Sequence, residues 1–173
     1  MKQFLLTTAL LFLISGLSYG QGTEDFTNSN ANGSYNDNSF VGNNGITWTY
    51  VESRNENGDA NGAGISGNAL MLRRSSDDSK ITSDSISNGI GDFSVKLYKG
   101  FTGGGDRQVE LFINGVSKGT STVFDDNNEH TFSVSGINVE GKFVLEIRNI
   151  TSKQVIVDDI TWTAYGAGSP TIL

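Results

Sequence analysis

Short runs of alternating apolar and polar residues recur along this chain, and turn residues separate them roughly every 8–12 positions. The alternation is clearest over residues 92–99 and 109–113, where every second side chain is apolar. Such alternation is typical of a strand with one buried face. Asn114 and Gly115 follow the second run directly and form the pair most typical of a type I′ hairpin turn. We predict strands at 46–52, 68–74, 80–86, 92–99, 109–113, 116–123, 132–134, 143–148 and 154–163.

Two of these runs, 68–74 and 154–163, are apolar on both faces, which indicates strands that are covered on both sides. Polar segments rich in glycine and asparagine at 27–45 and 54–67 predict long loops. No stretch shows the apolar spacing of an amphipathic helix. We therefore predict an all-β chain folded as a two-sheet antiparallel β-sandwich, and about nine or ten strands suit a jelly roll.

The first 20 residues have the pattern of a secretory signal peptide. Lys2 supplies the charge, residues 4–14 form the apolar segment, and Ser18 and Gly20 provide small residues before a cleavage site. We expect the sandwich module to cover residues 21–165. Residues 166–173 read as a linker or as the start of a further element of a longer protein. The module is accordingly expected to be secreted, at the cell surface or in the medium, without membrane insertion.

Charge and cysteine content narrow the class of partner. The chain has a formal net charge of −7, which disfavours nucleic acid because the phosphate backbone is repelled. An exported chain without cysteine has to be stable without disulfides, and a bound metal ion is one substitute.

Adjacent carboxylates in an otherwise apolar strand are the main evidence for such a metal. Asp158 and Asp159 lie within the last predicted strand, and an acidic segment with Glu24 stands near the start of the mature chain. Buried carboxylates are costly unless neutralised, and Ca²⁺ binds oxygen ligands of this kind. The alternative is pairing with arginines or capping of loop amides. Strict alternation would place Asp158 on one face together with Ile160.

Candidate ligand-binding residues are aromatic or basic. Sugar rings stack on aromatic faces, and the candidates for such a platform are Trp48, Tyr50, Trp162, Tyr165, Tyr35 and Tyr98. Alternation gives both tryptophans a second interpretation as core residues, whereas it places Tyr98 outward. The adjacent residues Arg73 and Arg74 could bind a sugar, or could pair with nearby acids.

Catalytic patterns are weak in this chain. His130 is the single histidine, and no Gly-x-Ser-x-Gly segment precedes a helix, so neither a nucleophilic triad nor a zinc site is predicted. The acidic segment 125–129 is typical of a solvated loop, with a surface cation as the alternative. We therefore predict a non-catalytic binding module rather than an enzyme.

Several motifs between Glu24 and Tyr165 carry a resemblance to a known family. They occupy 32–35, 45–50, 69–74, 89–95, 107–115, 146–149 and 157–162. Together they resemble a module found in secreted proteins of the Bacteroidetes. In those proteins the module stands beside extracellular nucleases, hydrolases or tails read by the type IX secretion system, so the resemblance implies neighbouring domains.

The chain also resembles calcium-containing jelly-roll carbohydrate-binding modules and their galactose-binding-like relatives. This resemblance implies a structural calcium held by Glu24 and Asp158, with Asp159 as the next candidate ligand. It also implies recognition of a glycan or a cell-surface polysaccharide, for which the residues above single out Tyr98, Trp48, Tyr50, Arg73 and Arg74. The alternative is a structural spacer or adhesion module without a small ligand.

Overall fold

The computed structural model describes residues 22–57 and 67–167. The predicted signal peptide and most of the predicted linker lie outside these residues. Within them the chain forms two short 3₁₀ turns, Asn43–Gly45 and Ser75–Asp77, and eleven strands. The strands are β1 Gly22–Glu24, β2 Asn36–Val41, β3 Thr47–Asn57, β4 Asn68–Leu72, β5 Lys80–Ser83, β6 Phe93–Lys99, β7 Val109–Ile113, β8 Val116–Thr120, β9 His130–Val134, β10 Leu145–Asn149 and β11 Val155–Trp162.

All strand pairs are antiparallel, and they build the predicted β-sandwich. One layer has the order β8-β7-β10-β5-β3-β2, and the other has the order β9-β6-β11 with β4 and β1 beyond β11. The long strand β3 joins the layers because its first half pairs with β5 and its second half pairs with β4. The predicted hairpin is present at Asn114 and Gly115, which both have positive φ as a type I′ turn requires.

The change of partner along β3 occurs at Glu52, whose φ of 43° marks a bulge. The buried hydroxyl of Ser79 fills the gap where β4 and β5 separate. Its Oγ accepts the N–H of Arg73 at 2.7 Å and donates to the carbonyl of Glu52 at 2.9 Å. A buried hydroxyl thus satisfies backbone groups that the splitting strands leave unpaired.

Strand β11 also changes partner along one edge. It pairs with β4 through residues 155–157 and with β1 through residues 160–162, and the register shifts between Asp158 and Thr161. Asp159 has a φ of 46° at this bulge. The extra residue reverses the alternation, so Asp158 lies on the outer face with Ile156 while Ile160 faces the core. The predicted shared face of Asp158 and Ile160 is therefore wrong.

The core lies between the two layers and contains both tryptophans. Trp48 is fully buried, Trp162 is 4% exposed, and their ring centroids are 6.4 Å apart in an edge-to-face arrangement. Both tryptophans are therefore core residues, which was the second of the two interpretations that alternation allowed. A second, smaller cluster covers the outer face of β4, β6 and β11; its members are Ala69, Met71, Tyr98, Ile156 and the partly buried Tyr35.

Two loop predictions were wrong in part. Strand β2 lies inside the predicted loop 27–45, and β3 runs on to Asn57 through a segment predicted as loop. Strand β2 contributes only Phe40 to the core, because it is an edge strand whose remaining side chains are polar and largely exposed. Such a strand is held by backbone pairing to β3, which leaves little trace in the hydrophobic pattern.

Candidate functional site

Glu24, the first predicted calcium ligand, is a buried residue engaged by backbone amides. Its Oε1 accepts the N–H of Phe26 at 2.8 Å, and its Oε2 accepts the N–H of Asn43 at 2.9 Å. Burial raises the pKa of this carboxyl, while the two amide hydrogen bonds oppose the rise. Glu24 pairs in register with Ile160, so its side chain lies on the core side of the sheet.

Asp158 and Asp159 lie on the opposite side of that sheet. Asp158 is 3% exposed, and its Oδ1 accepts the N–H of Asp159 at 2.8 Å. Burial raises the pKa of Asp158 to about 7, and the neighbouring Asp159 adds to the rise. Asp159 is more exposed, and its Oδ2 forms an ion pair with Nζ of Lys96 at 2.9 Å.

The three predicted metal ligands are therefore not brought together. The bulge in β11 turns both aspartates outward, whereas Glu24 points inward. Within residues 22–57 and 67–167, no group of three acidic or histidine side chains is arranged to hold a metal ion. Calcium takes about 6–8 oxygen ligands, so other parts of the chain would have to supply most of them.

Three of the predicted ligand-binding aromatics are buried. Trp48 and Tyr50 are 0% exposed and Tyr98 is 2% exposed, so none of them offers a ring face to a sugar in this structure. The expectation that Tyr98 is exposed is wrong. It does point outward from β6, but it packs in the cluster with Tyr35, and its hydroxyl donates to Glu129 at 2.7 Å. Burial and the neighbouring carboxylates raise the pKa of Tyr98.

Arg73 and Arg74 remain partly exposed and are paired with acids. Arg73 contacts Glu52 at 2.6 Å, and both arginines contact Asp77, at 3.4 and 3.0 Å. The guanidinium of Arg73 also lies 5.2 Å from the ring centroid of Tyr35. The two arginines therefore pair with nearby acids, which was the alternative to binding a sugar.

A polar groove lies at the end of the sandwich where β11 finishes. Two adjoining depressions of about 220 and 740 Å³ share Asp92 and Ser135. The smaller one lies over the outer face of β6, β9 and β11, and the larger one reaches the segment after β11. Their lining is dominated by hydroxyl, amide and backbone groups, and it includes Ser94, Ser133, Thr161, Thr163, Gly136, Asn138 and Tyr165.

Tyr165 is the exposed aromatic residue of this groove, with 40% of its surface accessible. Its N–H donates to the carbonyl of Asn88 at 3.3 Å. Gly89 lies directly under it with a φ of +69°, and a Cβ at that position would come within 2.6 Å of Tyr165 Cβ and 2.4 Å of the Val139 carbonyl. Glycine at position 89 therefore allows the tyrosine to be fixed close against the loop.

The floor of the groove is fixed by hydrogen bonds around Asp92. Oδ1 of Asp92 accepts the N–H of Gly136 at 2.7 Å, and the N–H of Asp92 donates to Oγ1 of Thr163 at 2.8 Å. These contacts tie the segment before β6 to the segments after β9 and β11. The groove is therefore preorganised, which lowers the entropic cost of ligand binding.

A third depression, of about 480 Å³, lies on the other side of the Asn88 and Tyr165 contact. Asp84, Ser85, Ser87, Asn88, Asn44 and Thr47 provide its polar lining. Trp162 is among the lining residues of both this depression and the smaller part of the groove, so the two surfaces are close neighbours.

Sequence reasoning listed Tyr165 among the candidate aromatics but missed the rest of this groove. Asp92, Ser135 and Asn138 stand in or beside loop segments, where serine, asparagine and aspartate are common turn residues. No spacing connects Asp92 to the other two, because they come from two segments, before β6 and after β9, that meet only in the fold.

Comparisons with protein-family models and with curated proteins found no match for this chain. Solved structures with similar folds were found. The CBM36-1 domain of a multidomain xylanase from the hindgut metagenome of Trinervitermes trinervoides has a TM-score of 0.52 at 14% identity, covering 87% of this chain and 100% of that one. The C-terminal CBM6 of LamC, a marine laminarinase from Zobellia galactanivorans, has a TM-score of 0.50 at 12% identity, covering 83% and 99%.

The GH26-CBM35 β-(1,4)-mannanase of Podospora anserina has a TM-score of 0.50 at 15% identity, covering 88% of this chain and 29% of that one. These structural neighbours are or contain jelly-roll carbohydrate-binding modules, and at such identities the likeness establishes the fold. The likeness to a Bacteroidetes module rests on the sequence motifs alone. The described residues contain no helix that is long and apolar enough to span a membrane. The chain is a jelly-roll β-sandwich with the fold of carbohydrate-binding modules.

Proposed function

We propose that this chain is a secreted, non-catalytic module that binds a glycan in the groove beside Tyr165. The observation that carries the proposal is an exposed tyrosine, held through its backbone N–H, at the end of a groove lined by hydroxyl and amide groups. An aromatic face stacks on a sugar ring, and the surrounding polar groups bond its hydroxyls. The shared fold with carbohydrate-binding modules of a xylanase, a laminarinase and a mannanase supports this choice.

The single histidine is engaged by an aromatic ring and an acidic side chain. His130 stacks on Phe124 with ring centroids 4.3 Å apart, and its Nε2 lies 2.9 Å from Oδ1 of Asp126. Among the described residues, no serine forms a side-chain hydrogen bond with this histidine, so a nucleophile activated by His130 has no geometric support.

The structural calcium stays a prediction from the sequence within this proposal. Asp158 is the residue that a cation would contact, because its carboxyl is buried and has no ion-pair partner among the described residues. The remaining ligands would have to come from backbone carbonyls or from outside the described residues.

A competing function is a spacer that presents neighbouring domains without a small ligand. The burial of both tryptophans favours it, since these large rings stabilise the core instead of a binding face. The two functions differ in whether any polysaccharide binds to the groove.

The test is affinity electrophoresis and calorimetry of residues 21–173 against xylan, laminarin and mannan. We expect Tyr165→Ala to weaken binding roughly 3- to 10-fold, corresponding to about 0.5–1.5 kcal/mol for a lost aromatic contact. Phe101→Ala is the matched control, because Phe101 is exposed to a similar extent, 38%, but lies in the loop after β6 at the other end of that strand. Equal loss in both variants would refute the groove as the site, and no binding to any polysaccharide would favour the spacer.

A further inference from the structure

The charge of the groove defines the class of glycan that it can take. We infer, on the basis of the proposed function, that the site selects uncharged glycans and rejects chains that carry carboxylate or sulfate groups. The groove and the neighbouring depression beyond Asn88 share Trp162 in their lining.

The described lining of these surfaces contains carboxylates and no basic side chain. Asp92 lies in the groove, Asp84 lies in the neighbouring depression, and none of the described lining residues is lysine, arginine or histidine. Oδ1 of Asp92 is fixed by the N–H of Gly136 at 2.7 Å. Both carboxylates can accept hydrogen bonds from sugar hydroxyls, and such charge-assisted bonds are stronger than neutral ones.

The nearest lysine along the outer face of β6 is already engaged. Lys96 stands two residues beyond Ser94, which lines the groove. Its Nζ lies 2.9 Å from Asp159 and 3.6 Å from Glu129, so one ammonium serves two carboxylates. These contacts raise the pKa of Lys96, with the Asp159 hydrogen bond contributing most. Lys96 is therefore not free to neutralise an anionic sugar.

An anionic group that entered the groove would lose water without gaining a cation and would meet Asp92 or Asp84. Burying a charge without a partner is costly, and like charges placed close together across an interface are strongly disfavoured. The net charge of −7 also repels anionic glycans at longer range. An uncharged hydroxyl-rich chain avoids both costs.

The experiment compares neutral polymers with anionic derivatives of the same chains. Laminarin and mannan are assayed beside the same polymers after oxidation of their primary hydroxyls to carboxylates, at 50 and 500 mM NaCl. We expect the oxidised form to bind about tenfold more weakly at low salt, with the difference shrinking at high salt because screening weakens repulsion.

The matched variant is Asp84→Asn combined with Asp92→Asn, which keeps an oxygen at position 92 for the Gly136 N–H. In this double variant we expect the ratio between the neutral and oxidised polymers to fall at least threefold. An oxidised polymer that binds as well as its parent would overturn the inference, and so would an unchanged ratio in a double variant that folds normally by its circular dichroism spectrum. If neither form of either polymer binds and xylan does not bind either, the proposed function itself fails and this inference falls with it.

Discussion

The guanidinium of Arg107 forms an ion pair with Asp125 at the base of the glycine-rich loop 100–106. Arg107 is 1% exposed, and its remaining donors bond backbone carbonyls. Nε donates to Gln154 at 3.3 Å, and the two terminal nitrogens donate to Gly100 at 3.0 Å, Gly103 at 2.7 Å and Gly105. All five N–H donors of the guanidinium are thus used inside the protein.

Replacing Arg107 should destabilise the protein strongly, because four backbone carbonyls around a buried guanidinium would lose their donor together. Asp125 would keep its contacts with Lys99 and with the N–H of Gly105. We expect Arg107→Met to lower the free energy of unfolding by about 3–5 kcal/mol, measured by urea denaturation. Arg148→Met is the control. Arg148 pairs with Glu146 on the surface, and such pairs contribute about 0–1 kcal/mol. Similar losses in the two variants would show that the buried network contributes little.

Replacing Asp158 should stabilise the protein at alkaline pH. Burial raises its pKa to about 7 from an ordinary value of 3.8, so the folded state favours the protonated carboxyl. Stability is therefore lost as the pH rises from about 4 to 7, and the penalty is complete above pH 7. We expect Asp158→Asn to raise the free energy of unfolding by about 1–3 kcal/mol at pH 8 and to change it little at pH 4.

Asp159→Asn is the control for that measurement, because Asp159 is more exposed and paired with Lys96. It should keep most of the pH dependence, because burial contributes more than Asp159 to the raised pKa of Asp158. A loss of stability in Asp158→Asn at every pH would contradict the argument. The same assay with EDTA or calcium tests the metal prediction. A midpoint that rises with calcium in the wild type but not in Asp158→Asn would establish the site, and an unchanged midpoint would refute it.

Ser79→Ala should destabilise the sandwich at the point where β4 and β5 separate. The substitution leaves the N–H of Arg73 and the carbonyl of Glu52 without their buried partner. An unsatisfied buried group costs about 1–3 kcal/mol, to be measured by thermal or urea unfolding. Ser76→Ala, at an exposed position of the neighbouring turn, should change stability by less than about 0.5 kcal/mol. If Ser79→Ala left the free energy of unfolding unchanged, a water molecule would have to replace the hydroxyl.

Gly42→Ala should disturb the packing around Glu24. A Cβ at Gly42 would come within 1.8 Å of Oε2 of Glu24 and 2.8 Å of Cδ1 of Trp48. Because the carboxylate is held by two amides and the indole is fully buried, we expect a loss of about 1–3 kcal/mol in unfolding free energy. Gly33→Ala is the control, since its Cβ would meet nothing within 4 Å. Equal stability of the two variants would show that Glu24 moves aside freely.

The alternation of apolar and polar residues was sufficient to predict most strands. The alternation at 92–99 and 109–113 became β6 and β7, and Asn114 with Gly115 formed the expected turn. The apolar run at 68–74 is covered on both sides, with Leu70 in the main core and Met71 in the outer cluster. These features depend on side-chain period and turn preference, which neighbouring residues determine.

The site depended on contacts between distant segments. Tyr98 points outward as alternation predicts, yet Tyr35, which lies 63 positions earlier in the chain, packs on its cluster. Likewise, Asp92, Ser135 and Tyr165 come together only when three loops meet at one end of the sandwich.

The all-β class, the central strands and the hairpin follow from the local sequence, because a period of two residues assigns each side chain to a face as long as the strand is regular. Where that regularity stops depends on contacts between distant segments. The bulges at Glu52 and Asp159 arise where one strand changes its hydrogen-bonded partner, and the second of them separates Asp158 from Glu24. A partner change is a property of the whole sheet, so no local pattern encodes it.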